Sequence, residues 1–312
     1  MPIFPISFSM PPEKIVAAVP PKTRLLAHII PGDLSTYIYK TEEDYYKGYQ
    51  DSYFGITGKK GGWDCMRHYE ILANGCIPFF YNICDIPKKT MANFPRELIT
   101  KTNELYFEMI DKSLENNLLE NNLLEEADKQ RLNAHIEELL SYTRTHLTTT
   151  RAAQNILDSI DKPQAKRVLF LSGNLDADYL RCLTLSGFKN LLGSECHDYP
   201  KVAHLYDDYS GDFVPHWGGG MTYQKTIKKE NRNDDYDKSV VRDIIDHKYD
   251  IVVYGSYHRG TPLIEIVTSF YKDEDLVFLC GEDCDVDKNR EYHACLLKEH
   301  GGANLNIFIR EQ

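Results

Sequence analysis

A glycine-rich loop between two apolar segments constrains the fold of this chain more than any other feature. The apolar segment 53–57 is followed by the sequence GKKGG at 58–62, and so many glycines interrupt regular structure. From 63 to 74 apolar side chains recur every three or four positions, which predicts a helix, and the run 76–81 is apolar again. Strand, loop, helix and strand within about thirty residues have the size of a βαβ unit. The sequence therefore predicts two parallel strands joined through a short helix.

A second α/β pattern begins after residue 167. Short apolar strands are predicted at 168–173, 251–256 and 276–281, and each ends in glycine or serine. Helices are predicted at 177–187, at 238–247 and from 262 onward. Alternation of strands and helices is typical of an open parallel sheet.

The length and the middle of the chain favour two domains. A chain of 312 residues exceeds the usual size of one domain. The segment 92–160 is helical in pattern and includes the repeat LENNLLENNLLEE at 114–126, which we interpret as structural. We expect an α/β fold of two Rossmann-like domains, 1–160 and 161–312, with a helical connection in the first. The apolar, proline-rich start, with a strand at 24–30, is expected to dock on the first domain.

Charge and composition exclude several classes of protein. A formal net charge of −11 disfavours a dedicated nucleic-acid binder, because phosphate backbones are held by clustered cations. The sequence contains no run of the ~20 apolar residues that a membrane helix requires, and its start lacks the pattern of a signal peptide. The 8 cysteines are scattered through the chain, so we expect reduced thiols. Together these features predict a cytoplasmic protein.

The predicted loop and helix at 58–74 have the chemistry of a phosphate site. Lys59 and Lys60 lie beside the start of a helix, where unpaired N–H groups and the helix dipole attract anions. Arg67 and Glu70 are three residues apart and share one helix face. An arginine can hold phosphate through two hydrogen bonds, while a glutamate accepts hydroxyl groups of a sugar. The alternative is that Arg67 and Glu70 pair with each other on the helix surface.

A family resemblance supports the phosphate site. The motif Arg67-x-x-Glu70, followed after four residues by Gly75-Cys-Ile-Pro78 and an apolar strand, resembles the donor-site signature of exostosin-like glycosyltransferases. The resemblance covers about forty residues, and it implies a GT-B-like fold in which Arg67 and Glu70 meet the diphosphate and the sugar or ribose of a UDP- or GDP-sugar. Here the motif lies in the N-terminal half, whereas the family carries it near the carboxyl end. Exostosin-like sequences predicted in large DNA viruses are similar, which would imply a host cytoplasm.

We therefore assign candidate residues to both halves. The residues expected to bind the donor are Lys59, Gly62, Asp64, Arg67, Glu70, Asn74 and Gly75. In the second half the catalytic candidates are His258, Asp178 and Glu282, with Tyr257 and Arg259 on the acceptor side, because all follow predicted strands whose carboxyl ends bind ligands in open sheets. Each has a structural alternative: a helix cap for Asp178, a surface turn for His258 and loop hydrogen bonds for Glu282.

Three further groups of residues contain side chains of the types that bind metals. Asp176 and Asp178 have the spacing with which GT-A glycosyltransferases hold Mg²⁺ or Mn²⁺. Cys280, Cys284, His293 and Cys295 are zinc-type ligands, but their spacing misses the common patterns. His197, Asp198 and His204 lie near a predicted turn, and we expect a local structural role for them. The polar segment 207–237 is long enough for a lid or binding loop.

The sequence as a whole predicts a glycosyltransferase that moves a sugar from a nucleotide sugar to a glycan hydroxyl. No redox cofactor is needed, and Mg²⁺ or Mn²⁺ is not expected. Three alternatives stay open: a GT-A-like enzyme that uses Asp176 and Asp178, a non-catalytic nucleotide- or sugar-binding module, and a second domain with its own cofactor. The last is weakened because no G-x-G-x-x-G motif follows the strand at 168–173.

Overall fold

The computed structural model describes residues 3–115, 124–213, 216–283 and 305–312, which form two compact units. The larger unit comprises 1–11, 88–92 and 148–312, and the smaller unit comprises 12–87 and 93–147. The strands are β1 (Ile3–Pro5), β2 (Arg24–Leu26), β3 (Ser52–Thr57), β4 (Ile77–Phe80), β5 (Val168–Leu171), β6 (Cys196–Tyr199), β7 (Ile251–Tyr254), β8 (Leu276–Cys280) and β9 (Asn306–Ile309). The helices are α1 (Glu42–Gln50), α2 (Met66–Ala73), α3 (Arg96–Glu115), α4 (Glu126–His146), α5 (Thr149–Ser159), α6 (Tyr179–Leu192), α7 (Val240–Ile245) and α8 (Ile264–Phe270).

The smaller unit is built on a three-stranded parallel sheet in the order β2-β3-β4. The predicted strand, loop, helix and strand correspond to β3, the loop 58–65, α2 and β4, so this βαβ unit is confirmed. All four residues of β4 are buried, and Phe79 stacks on Tyr106 of α3 with ring centres 3.8 Å apart. Helix α2 is also buried along its whole length. Any charged side chain on α2 is consequently buried too.

The larger unit contains a six-stranded parallel sheet in the order β1-β9-β8-β7-β5-β6. Phe170 of β5 packs towards Phe188 of α6, whereas the neighbouring Leu169 and Leu171 belong to the apolar cluster that includes α7 and α8 residues. Because successive strand residues point to opposite faces, helices cover both faces of this sheet. The order reverses between β5 and β7, and such a switch point is where doubly wound sheets bind ligands. The predicted α/β pattern with an open parallel sheet is thus present.

Three strands of this sheet have no counterpart in the sequence-based prediction. β6 lies in a segment for which we predicted only local structure around a turn. β1 and β9 pair in parallel, with Phe4 opposite Phe308 and their rings 4.9 Å apart. The expectation that the whole start of the chain docks on the first domain is therefore wrong for β1, which joins the larger unit. The strand predicted at 24–30 is shorter, ends at Leu26 and belongs to the smaller sheet.

Helix α5 belongs to the larger unit, and this sets the boundary between the two units. It packs on α6, where Gly187 approaches so closely that an added Cβ would lie 2.1 Å from the carbonyl oxygen of Thr149. This contact groups α5 with the larger unit, so the division falls at 147–148 and not at 160–161 as expected. Residues 116–123 of the predicted leucine and asparagine repeat lie outside the described residues.

No helix in the described part of the chain is both long enough and apolar enough to cross a lipid bilayer.

Candidate functional site

Arg67 and Glu70 lie on the buried helix α2, where they are only 7% and 6% exposed. Arg67 occupies the first turn of α2, directly after the loop 58–65. Burial of two charged side chains is costly unless each finds compensating partners. The contacts of these two residues therefore determine whether the site is structural or functional.

Arg67 is short of hydrogen-bond partners. Its Nη2 donates to the hydroxyl of Tyr37 at 2.7 Å, and the guanidinium lies 5.4 Å from the centre of the Tyr37 ring. Within the described residues, the buried Nε and Nη1 atoms have no hydrogen-bond partner. The alternative in which Arg67 is satisfied by hydrogen bonds to Glu70 is thus not what the structure contains. A buried guanidinium with two unmet donors is suited to an anionic ligand.

Glu70 is held by tyrosines of α1. The hydroxyl of Tyr45 donates to Oε2 of Glu70 at 2.6 Å, and the hydroxyls of Tyr45 and Tyr49 are 3.5 Å apart. Burial, followed by the charge of Glu70, raises the pKa of Tyr45 well above its ordinary value. Tyr45 therefore stays protonated and acts as a donor. The arrangement places a cation, a carboxylate and three tyrosines, Tyr37, Tyr45 and Tyr49, in one cluster, of which Tyr37 is the exposed member.

Asp64 and His68 stabilise the loop that precedes α2. Asp64 accepts a hydrogen bond from Tyr69 at 2.6 Å. His68 lies between the hydroxyl of Thr57, 2.8 Å from Nδ1, and the carbonyl oxygen of Trp63, 2.9 Å from Nε2. Since a carbonyl only accepts, Nε2 carries the proton and Nδ1 accepts from Thr57. Burial lowers the pKa of His68 to about 3, so the imidazole is neutral.

Asn74 and Gly75 terminate α2. The side-chain amide of Asn74 donates to the carbonyl of Glu70 and accepts from Gln50, both at 2.9 Å. Gly75 has a φ of 62°, and a Cβ at this position would lie 2.8 Å from Pro20. Both residues, predicted to bind the donor, thus have evident structural roles.

Lys59 and Gly62, two loop residues predicted to bind the donor, differ in their exposure. The side chain of Lys59 is exposed and its Nζ lies 4.9 Å from the centre of the Trp63 ring. Gly62 is buried, and its carbonyl accepts a hydrogen bond from the amide of Lys60 at 3.1 Å. Lys59 remains able to reach an anion from solvent.

At the switch point of the larger unit, Asp178 caps α6. Its carboxylate accepts hydrogen bonds from the amide of Arg181 at 3.0 Å, the hydroxyl of Ser256 at 2.9 Å and Nε of Arg259 at 2.9 Å. Although burial favours the neutral acid, Arg181 and Arg259 hold the pKa of Asp178 below its ordinary value. The cap that we considered as the structural alternative is therefore present. Asp178 also joins the loops that follow β5 and β7.

His258 and Glu282 meet at the same edge of the sheet. Nε2 of His258 lies 2.8 Å from Oε1 of Glu282 and 4.0 Å from Oδ2 of Asp178. Burial, more than any neighbouring charge, lowers the pKa of His258. Tyr257, predicted on the acceptor side, is buried in the core against Phe278, with ring centres 5.9 Å apart. Arg259 is partly exposed, so of these two residues it is the one accessible to a ligand.

The other candidate sites are structural or fall outside the described residues. Asp176 is exposed and accepts a hydrogen bond from the side chain of Asn174 at 2.6 Å. Asp198 forms a fully buried ion pair with Lys189 at 2.9 Å, which agrees with a local role. His197 contacts Tyr249 at 2.7 Å and His204 contacts the thiol of Cys182 at 3.4 Å. Among the described residues no three His, Cys, Asp or Glu side chains are grouped to hold a metal ion, and Cys284, His293 and Cys295 are not described.

Sequence reasoning missed the tyrosines around Arg67 and Glu70. Tyr45 and Tyr49 are four residues apart on α1, so their common face was visible in the sequence. Tyr37 offered no such signal, because it lies thirty residues from its partner Arg67.

Comparisons with known proteins add no relative. No protein-family model matches the chain, and no curated protein or solved structure matches it. The geometry of the two sites is therefore the basis on which a function can be proposed.

Proposed function

We propose that this chain is a GT-B-like glycosyltransferase that transfers a hexosyl or pentosyl group from a UDP- or GDP-sugar to a carbohydrate hydroxyl. The observation that carries the proposal is the guanidinium of Arg67, buried with two nitrogens that lack partners among the described residues. A buried donor left unsatisfied costs about 1–3 kcal/mol, and more when it is charged. A diphosphate supplies the missing acceptors, since its oxygens match the two-pronged guanidinium.

Glu70 supports the sugar side of the proposal. A carboxylate offers about four acceptor positions, and the hydroxyls of ribose or a sugar are suitable donors. The hydrogen bond from Tyr45 fixes one oxygen of Glu70 and so orients the group. Arg67 and Glu70 together meet the two chemically different parts of a nucleotide sugar.

Entry of the donor requires Tyr37 to move. Its hydroxyl occupies the position next to Nη2 where a phosphate oxygen would bind, and Arg67 is 7% exposed while Tyr37 covers it. Tyr37 itself is 39% exposed and lies in a segment whose Leu34 is 84% exposed. Because these apolar side chains bury little surface, displacing them costs little hydrophobic free energy. We therefore assign Tyr37 as the residue that the diphosphate displaces.

In the proposed reaction, protein side chains stabilise the charge that develops on the leaving group and accept the proton of the acceptor hydroxyl. The leaving nucleoside diphosphate develops negative charge, which a fixed guanidinium such as Arg67 stabilises. The acceptor hydroxyl needs a base, and His258 is the candidate because a neutral imidazole accepts protons near neutral pH. The metal-dependent alternative has less support, because the carboxylate of Asp178 already accepts three hydrogen bonds. We accordingly propose that neither a metal nor a redox cofactor is required.

Titration calorimetry of UDP and GDP, with and without Mn²⁺, tests the donor site. We expect one nucleotide to bind with a Kd in the micromolar range, and we expect Arg67→Met to weaken it about 10- to 100-fold, the effect of losing charged hydrogen bonds. Arg131→Met is the matched control, because Arg131 lies in the same unit in an exposed ion pair with Glu108. Absence of binding to either nucleotide, or equal affinity in Arg67→Met, would remove the donor-site assignment.

Turnover separates the enzyme from a binding module. Release of free UDP or GDP from a nucleotide sugar supplied with glycan acceptors is expected, and it should persist in the presence of a chelator. Tight binding without any release would instead favour a non-catalytic module, and activity that chelation abolishes would favour the alternative with Asp176 and Asp178.

A further inference from the structure

Tyr37 and Arg67 form a pair in which one member is exposed and the other is buried. Nη2 of Arg67 donates to the hydroxyl of Tyr37 at 2.7 Å, while the buried Nε and Nη1 have no partner within the described residues. We propose that Tyr37 is a phosphorylation site, and that its phosphoryl group binds Arg67 and closes the donor site to nucleotides. The closure rests on the proposed function, but the pairing of the phosphoryl group with Arg67 does not.

Arg67 has the chemistry of a receptor for a phosphoryl group. A guanidinium matches the geometry of phosphate oxygens and binds them through two parallel hydrogen bonds. Phosphorylation of a tyrosine adds about 1.5 to 2 negative charges at pH 7 and three strong acceptor oxygens. The neutral hydroxyl of Tyr37 offers Arg67 a single acceptor. The phosphoryl group therefore supplies acceptors for donors that the hydroxyl leaves unsatisfied.

Tyr37 lies in a segment that a second enzyme can reach. Its side chain is 39% exposed, and those of Leu34 and Ile38 are 84% and 55% exposed. Residues 37–40 belong to no helix or strand. Drawing Tyr37 outward consequently disrupts no regular element of the smaller unit.

The modifying step is a phosphoryl transfer from a nucleoside triphosphate, which a protein-tyrosine kinase supplies from outside this chain. The bond between the γ-phosphorus and the leaving nucleoside diphosphate breaks, and a bond from phosphorus to Oη of Tyr37 forms. The phenolic proton passes to a base of the kinase. Because the hydroxyl and Nη2 of Arg67 are already in contact, the ring must withdraw to make room for the phosphoryl group. The same withdrawal is required for entry of a diphosphate.

A phosphoryl group on Tyr37 excludes the donor for two reasons. It occupies the guanidinium donors that a diphosphate needs, and covalent attachment gives it a high effective concentration there. It also adds negative charge to a cluster that already contains Glu70, which Tyr45 holds through a hydrogen bond of 2.6 Å. An incoming diphosphate is therefore repelled. Phosphorylated Tyr37 thus acts as an attached competitor of the nucleotide.

Two other exposed tyrosines provide the comparison. Tyr81 and Tyr236 are 60% and 43% exposed, which is more than Tyr37. Of these three, Tyr37 alone has an arginine nitrogen at hydrogen-bond distance from its hydroxyl within the described residues. Exposure is thus common to the three tyrosines, and the buried arginine is particular to Tyr37.

Phosphorus NMR of the full chain tests the pairing without any nucleotide. Phosphotyrosine is introduced through a reassigned stop codon at position 37 and, as the control, at position 236. The second pKa of a phosphoryl group is about 6, and a neighbouring arginine should move the titration at position 37 about one pH unit lower. The control should titrate at about pH 6, and Arg67→Met should return position 37 to that value. A phosphoryl group at position 37 that titrates like the control would overturn the pairing.

Calorimetry with UDP and GDP tests the closure of the donor site. Phosphotyrosine at position 37 should weaken the nucleotide bound by the wild type about 10-fold or more, whereas phosphotyrosine at position 236 should leave its Kd unchanged. Equal affinity of the wild type and the chain modified at position 37 would contradict the closure. If the wild type binds neither nucleotide, the proposed function fails, and the NMR titration still decides whether the phosphoryl group pairs with Arg67.

A protein-tyrosine kinase domain of broad specificity, supplied with ATP, tests whether Tyr37 can be modified. Peptide mass spectrometry should find phosphate on Tyr37 of the folded wild type. Arg67→Met should be modified at least as fast, because Nη2 no longer holds the hydroxyl. Phosphorylation of Tyr236 with none at Tyr37 would show that the folded chain withholds this hydroxyl, and it would overturn Tyr37 as a modification site.

Discussion

The two units contain buried arginines that differ in how fully they are bonded. Arg67 in the smaller unit makes one hydrogen bond through its side chain, and two of its nitrogens lack partners within the described part of the chain. Arg310 in the larger unit donates to Gly281, Glu311 and Asp283 and stacks on Phe8, 4.5 Å from the ring centre. Burial alone therefore does not distinguish a structural arginine from a ligand-binding one. The number of side-chain donors that have a hydrogen-bond partner is what distinguishes them here.

A similar contrast exists between neighbours on α2. His68 is fully bonded between Thr57 and Trp63, whereas Arg67, one residue earlier, is not. Both side chains are buried on the same short helix. A buried polar group without a partner is rare in folded proteins and calls for an explanation. We infer that α2 stabilises the fold through His68 and serves ligand binding through Arg67.

The largest effect is expected from Arg310→Met. Methionine roughly preserves the length of the side chain but leaves Asp283 and the buried carboxylate of Glu311 without their cation. Breaking a buried ion pair by removing one partner costs about 3–5 kcal/mol. The free energy of unfolding, measured by urea denaturation, should fall by this amount. A loss below about 1 kcal/mol would remove the distinction between the two arginines.

Acid should destabilise the protein through His68. The pKa of His68 is lowered to about 3 in the folded state by burial, whereas an unfolded histidine has an ordinary pKa of about 6.5. Between these values the unfolded chain binds more protons, so this contribution is intact above about pH 6.5 and is lost as the pH falls. At pH 5 the loss should be on the order of 2 kcal/mol.

Urea denaturation of wild type and His68→Gln at pH 7 and pH 5 measures this contribution. Glutamine can donate to Trp63 and accept from Thr57 but does not titrate, so the variant should lose less stability on acidification. His204 in the larger unit, whose pKa burial lowers to about 4, contributes to the acid loss in both proteins and serves as the internal reference. Equal pH dependence in the two proteins would show that His68 is not the buried neutral group described here.

The parts of the fold that the sequence predicts well are those set by neighbouring residues. The unit of β3, α2 and β4 follows from the glycine-rich loop and the helical spacing at 63–74, and the strands at 168–173, 251–256 and 276–281 are apolar runs of the right length. The pairing of β1 with β9 joins residues about three hundred positions apart, and no local pattern encodes it. β6 contains His197 and Asp198, so it lacks the apolar run that identified the other strands.

The same distinction between local patterns and contacts of distant residues applies to the candidate sites. The spacing of Arg67 and Glu70 predicts a common helix face, but it does not reveal that the face is buried or that Tyr37 covers it. Asp178 and His258 are predictable as residues that follow strands, because the carboxyl ends of parallel strands share one edge of the sheet. The bonds from Arg310 to Gly281 and Asp283 depend on strand β9, which the sequence pattern did not indicate. Contacts between residues from distant segments of the chain are thus the features of the sites that only the structure reveals.

The smallest effect is expected from Arg67→Met in the absence of a ligand. The substitution removes one hydrogen bond, to Tyr37, together with the cost of burying two donors that have no partner among the described residues. Replacing a poorly compensated buried charge by an apolar side chain of similar length is often neutral or stabilising. The free energy of unfolding should stay within about 1 kcal/mol of wild type in urea denaturation. The same variant should lose the stabilisation that UDP or GDP gives to the wild type, because mass action stabilises only a state that binds.

Arg67→Lys sharpens this last comparison. Lysine keeps the positive charge but lacks the planar fork, so it should retain weak nucleotide binding and a salt-sensitive share of the stabilisation. If Arg67→Met instead loses about 3–5 kcal/mol without ligand, as expected for Arg310→Met, then Arg67 is bonded in the folded protein as fully as Arg310. Arg67 would then offer no unmet donor to a diphosphate, and the candidate site would have to be sought around His258 and Arg259.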